Sequence, residues 1–143
     1  MIGALVVALG LLQAAGMPVS VVEAPDCPVK LERPKILNTG DSPLVLLYAA
    51  TNRSGQPLEQ FTAMVFVYDR TGNLKARQVA PGRRSLDAGE TKFSTMVLDV
   101  GGIDPNDVVI VGIDQAQRVD SDDWWRADLR PLAEAKATQP IKR

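Results

Sequence analysis

Hydrophobic residues along this chain come in short runs broken by glycine and proline. That spacing belongs to strands rather than helices. Residues 44–52 (LVLLYAATN) predict a strand, "RSGQP" turns the chain, and 59–69 (EQFTAMVFVYD) predict a long second strand. "RTGN" reads as a hairpin turn, because Gly72 supplies positive φ without steric cost. Residues 74–80 then form the partner strand. After the turns "APG" and "LDAGE", residues 91–100 and 108–116 predict two more strands around the loop "GGIDPND". Upstream, 17–43 holds Pro18, Pro25, Pro28, Pro34 and Pro43 and predicts an extended lead-in, with at most one short strand at 29–33. Only "PLAEAKA" at 131–137 has helix-favouring composition.

Short strands at hairpin spacing point to an all-β fold: an antiparallel Ig-like sandwich of about six or seven strands, with a small closed barrel as the alternative. The 44–116 stretch is the expected sandwich core. In 91–97, Phe93, Thr95 and Val97 alternate with Lys92, Ser94 and Met96, the pattern of a half-solvated strand. Two other strands are apolar on both sides. Ala63, Val65 and Val67 occupy one face of the 59–69 strand, and Met64, Phe66 and Tyr68 the other. Residues 108–113 (VVIVGI) are apolar throughout. One face of each belongs between the sheets; the second needs a cover or becomes an interface. The tail, 117–143, carries Trp124, Trp125, Leu129 and Leu132 among polar residues. It is expected to fold back over the outer face that bears Phe66 and Tyr68. If it does not, Phe66, Tyr68, Trp124 and Trp125 are the candidate binding surface.

The N-terminus reads as an address. Residues 2–16 (IGALVVALGLLQAAG) are uncharged and end in small residues, as a secretory signal peptide does. The alternative is a retained anchor running to about residue 22, just long enough for roughly 30 Å of hydrocarbon. Either way the protein is expected outside the cytoplasm: periplasmic, secreted or membrane-anchored. Ala24-Pro25-Asp26 before Cys27 does not suit lipidation, so Cys27 is expected to be a small, partly buried thiol.

Composition narrows the chemistry. The 143 residues suffice for one domain. Sixteen basic and seventeen acidic residues are interspersed for a net charge of -1, leaving no basic stripe for a nucleic acid. There is no histidine, the commonest general base near neutral pH, and the single cysteine forbids an intrachain disulfide. A Ser-Lys nucleophile at a recognisable spacing is lacking, so no enzyme, cofactor or metal is expected. Three alternatives attach to particular residues. "DSDD" at 120–123 offers oxygens for calcium, although it reads as a solvated turn. Trp124-Trp125 with Asp122, Asp123 and Arg126 offers a sugar platform. "NRS" at 52–54 matches a glycosylation acceptor.

"AATNRSGQPLEQ", "VFVYD", "RTGN" and "SLDAGETKFSTMVLD" together resemble bacterial extracytoplasmic Ig-like domains of the FxLYD type. The residues that match are Asn52, Gly55, Tyr68, Asp69, Gly72 and Gly89, with Val65 where the family has an aromatic. The resemblance covers roughly 44–116. It implies a non-enzymatic surface or periplasmic module with no catalytic residues. The role expected of this chain is binding, to another envelope protein or to a second copy of itself. The alternative is a structural part of an envelope assembly held by its N-terminus.

Overall fold

Proline decides where the first strands can lie. The computed structural model describes residues 17–38, 43–80, 85–99 and 101–138. Its strands are β1 (Val19–Val21), β2 (Val29–Leu37), β3 (Val45–Asn52), β4 (Leu58–Tyr68), β5 (Leu74–Ala80), β6 (Thr91–Val97), β7 (Val108–Arg118) and β8 (Trp124–Arg126). A helix, α1 (Arg130–Ala137), follows. The 17–43 segment, expected as a lead-in with at most one short strand, thus supplies two. Both sit at sheet edges, where a missing N–H does least harm. Pro34 falls inside β2, where the register against β3 shifts between Glu32 and Lys35 and Arg33 takes a φ of 54°. The bulge absorbs the proline and lets the strand continue to Leu37. The signal-peptide segment, 1–16, lies outside the described residues, and of the alternative anchor to about residue 22 only 17–22, which hold β1, are described. The "PG" of the turn after β5, Val100 and the tail beyond 138 also lie outside.

The elements form an all-β sandwich. One sheet runs β1-β7-β4-β5, with β8 also on β7; the other runs β2-β3-β6. All ladders are antiparallel except β1–β7, which is parallel. β4 occupies one edge of β7 along its whole length, from Leu58↔Arg118 to Tyr68↔Val108. β1 and β8 share the other edge, at 109–111 and 115–117. Between the sheets, Ile36, Leu46, Leu58, Val65, Val67, Leu86, Val109 and Val111 are fully buried, with Phe61 and Ile113 nearly so.

β6 alternates as expected, but the buried side is that of Ser94, Met96 and Leu98. Phe93 and Val97 are 69% and 53% exposed. The partner strand sets this: Met96 lies opposite Leu46 and Ser94 opposite Tyr48, and both partners point into the core. Cross-strand neighbours share a face, so pairing overrides the greater hydrophobicity of Phe93.

The second apolar face of β4 and β7 is covered. Phe66, Tyr68 and Ile110 are buried against Leu129 and Ala133 from the tail and Val22 and Ala24 from the segment after β1. The Phe66 and Tyr68 rings stack at 6.3 Å. Gly112 makes the cover possible. A Cβ there would lie 2.8 Å from both Leu129 Cδ1 and the Val22 carbonyl oxygen. Only a bare backbone lets strand, tail and β1 exit meet so closely. Leu132, expected to help, points outward and is 36% exposed.

Candidate binding groove

β8 follows from the sequence after β7. Arg118 ends the long strand, and Asp120, at a φ of 60°, reverses the chain. Asp123 N–H donates to Ser121 Oγ at 3.0 Å, and the Gln117 amide donates to the Ser121 carbonyl at 2.9 Å. The "DSDD" segment is therefore a turn that returns the chain to the β7 edge. Among the described residues no group of three His, Cys, Asp or Glu side chains is placed to hold a metal ion, so the calcium alternative finds no cluster there.

Pairing then parts the two tryptophans. Trp125 lies opposite Ala116 and Trp124 opposite Gln117. Trp125 touches both the core between the sheets and the cluster under the tail. The Arg126 guanidinium stands 5.5 Å from the centre of the Trp124 ring, a cation–π contact. Both indoles are partly buried and line one groove of about 710 Å³ at this end of the sandwich.

The opposite wall comes from two turns. Asp26, at a φ of 61°, starts the bend that brings Cys27 and Pro28 to the groove. The Cys27 thiol donates to the Val29 carbonyl at 3.1 Å, and burial pushes its pKa up, so it stays a neutral thiol. Arg53, after β3, donates through Nε to the Cys27 carbonyl at 3.0 Å and pairs with Glu23 at 2.8 Å. The hydrogen bond to Glu23 raises the guanidinium pKa further. Arg53 thus clamps the two turns together. Leu58 and Ala116 form an apolar floor, and Ser54, Arg118 and Asp123 complete the rim.

Asn52 holds the Arg53–Ser54 wall from within. It is fully buried; its amide donates to the Gln56 carbonyl at 2.6 Å and the Leu86 carbonyl at 2.9 Å, while its oxygen accepts from Ser54 N–H and Oγ. The "NRS" acceptor nitrogen is therefore enclosed, which removes the glycosylation reading for the folded chain. Matched against family models, curated proteins and solved structures, the chain finds no match in any of the three.

The four candidate residues separate into two pairs. Trp124 and Trp125 meet in the groove, whereas Phe66 and Tyr68 are each 1% exposed beneath the tail. Phe66 and Tyr68 are thus not a binding surface in this fold, because the tail occupies the face they would offer. The groove residues the sequence did not mark for binding — Asp26, Arg53, Ser54 and Arg118 — come from separate turns and a strand end. Their only local signals are the turn formers around them.

Proposed function

We propose that this protein is a non-catalytic binding module that works outside the cytoplasm and takes its ligand in the groove between Trp124-Trp125 and Arg53. The supporting observation is the groove's make-up. Two indoles stand over an apolar floor, with convergent charged groups at the rim, which is the usual construction of a ligand site. The one serine there does not face a base: Ser54 Oγ donates to Asn52 Oδ1 at 2.7 Å and lies 3.0 Å from the Gln56 carbonyl. That favours binding over nucleophilic catalysis. The FxLYD-type resemblance and the uncharged 2–16 run support the extracytoplasmic location. The test has two parts. N-terminal sequencing of protein recovered from the cell envelope or medium is expected to start after the apolar run. Pull-down from an envelope extract is expected to retain a component that Trp124→Ala loses. A chain recovered in the cytoplasm, or capture indifferent to Trp124, would overturn the reading.

A second reading has its own observation. Phe93 and Val97 stand exposed on the outer face of the β2-β3-β6 sheet, which suits a structural part of an envelope assembly or self-association. Size-exclusion chromatography separates the two, because Phe93→Ser is expected to dissolve an assembly and leave groove binding intact.

A further inference from the structure

We infer that the groove ligand is a neutral saccharide, a refinement that rests on the binding reading above. Four charged side chains line the groove, Arg53 and Arg118 against Asp26 and Asp123. Two cations and two anions leave the lining without net charge, and Arg53 is already paired with Glu23, so a polyanion gains little from entering. A ligand that satisfies both kinds of group must donate to carboxylates and accept from guanidiniums. A hydroxyl does both, and a pair of neighbouring hydroxyls presents both functions at once.

The indoles supply the other half of the recognition. The C–H faces of a pyranose ring are apolar and flat enough to lie on an aromatic ring. Trp124 is held for this by its β8 pairing with Gln117 and by Arg126 5.5 Å from its ring centre. Trp125 is anchored in the packed clusters and fixes the wall beside it. A peptide joining by strand addition would instead call on a row of backbone groups. The walls of this groove are indoles, guanidiniums and carboxylates carried by turns, the last residue of β7 and the three-residue β8. At about 710 Å³ the groove has room for a short run of sugar units.

The experiment titrates the purified protein with oligomers of β-1,4-linked N-acetylglucosamine, β-1,4-linked glucose and α-1,4-linked glucose. A capped neutral peptide and heparin serve as the competing classes, with tryptophan emission and calorimetry as readouts. At least one of the three glycans is expected to bind saturably. Trp124→Ala is expected to weaken it at least tenfold and Arg118→Gln several-fold, with Leu132→Ala unchanged. Arg118 is exposed, so that variant keeps its melting temperature and remains informative should Trp124→Ala fold poorly. Lack of saturable binding to all three glycans up to about 10 mM overturns the saccharide inference. If the peptide or heparin then binds and Trp124→Ala abolishes it, the groove still stands as a binding site. If no class binds and envelope capture ignores Trp124 and Arg118, both readings fall.

Discussion

Leu129→Ala asks whether the tail belongs to the fold or merely rests on it. Leu129 is 2% exposed, and its Cδ1 sits 2.8 Å from where a Gly112 Cβ would lie. Truncation removes three carbon groups at about 0.8 kcal/mol each, roughly 2.4 kcal/mol, and the cavity beside Ile110 adds about 1 kcal/mol. For a domain of this size each kcal/mol moves Tm by about 3–5 °C, so a fall of about 10–17 °C is expected by differential scanning calorimetry. Leu132→Ala, in the helix that Leu129 precedes but facing water, is expected within about 0.5 kcal/mol of the parent. Gly112→Ala sharpens the test. Its new methyl meets Leu129 Cδ1 and the Val22 carbonyl oxygen, both at 2.8 Å, and overpacking of this kind costs about 1–3 kcal/mol. In the Leu129→Ala background the first clash disappears and the second remains. The cost should therefore shrink by about 0.5–1 kcal/mol without vanishing. Equal Tm values for Leu129→Ala and Leu132→Ala, or strict additivity with Gly112→Ala, would refute the reasoning. The face of Phe66 and Tyr68 would then be open in solution.

Three further outcomes follow from particular groups. Tyr68 Oη is buried without a hydrogen-bond partner among the described residues, so Tyr68→Phe is expected to be neutral or stabilising by up to about 1 kcal/mol in a denaturant melt. Burial and nearby Glu134 raise the Tyr68 pKa. Its contribution is therefore whole below the unfolded tyrosine value of about 10 and is lost as pH rises through the folded value. Tyr68→Phe should flatten the alkaline limb of a stability–pH curve. Asn52→Leu strands the Gln56 and Leu86 carbonyls and frees Ser54, at an expected cost of about 3 kcal/mol by urea unfolding. Asp69 accepts from the Thr71 hydroxyl and from the Thr71 and Asn73 N–H groups, and the Thr71 hydroxyl bond leads in lowering its pKa. Its stabilisation is present above the unfolded value of about 3.9 and fades as pH falls through the folded one. Asp69→Asn should therefore lose this residue's share of the parent's acid dependence, read by pH-jump circular dichroism.

The strands from β3 to β7 were legible because each carries its own local signals. β-branched residues alternate, and a glycine turn such as Gly72, at a φ of 89°, closes the hairpin between β4 and β5. The cover over Phe66 and Tyr68 was also legible, since a strand greasy on both faces beside a tail with large apolar residues demands one. What stayed hidden depends on partners distant in sequence. β1 and the full length of β2 sit among prolines, and only the bulge at Arg33–Pro34 shows that a strand continues past them. The buried side of β6 is fixed by Leu46 and Tyr48 on β3, some fifty residues earlier. No alternation within "TKFSTMV" ranks Met96 above Phe93.

The groove combines both kinds of information, and the tryptophan pair shows how. Adjacent residues on a strand must point to opposite faces, so the sequence already required Trp124 and Trp125 to part. It could not say which would reach the core. That depends on β8 docking so that Trp125 meets Ala116, the 2% exposed alanine near the end of β7. A larger residue at 116 would fill the space its small side chain leaves beneath Trp125. The small residue on β7 and the large one on β8 are complementary, and together with Leu58 they make the apolar floor and inner wall. Trp124, one residue earlier, is thereby turned to the Gln117 and Arg126 side. One indole anchors the short strand, and that anchoring presents the other. Ala116 is therefore as much a determinant of the groove as either tryptophan, though no feature of its own marks it out.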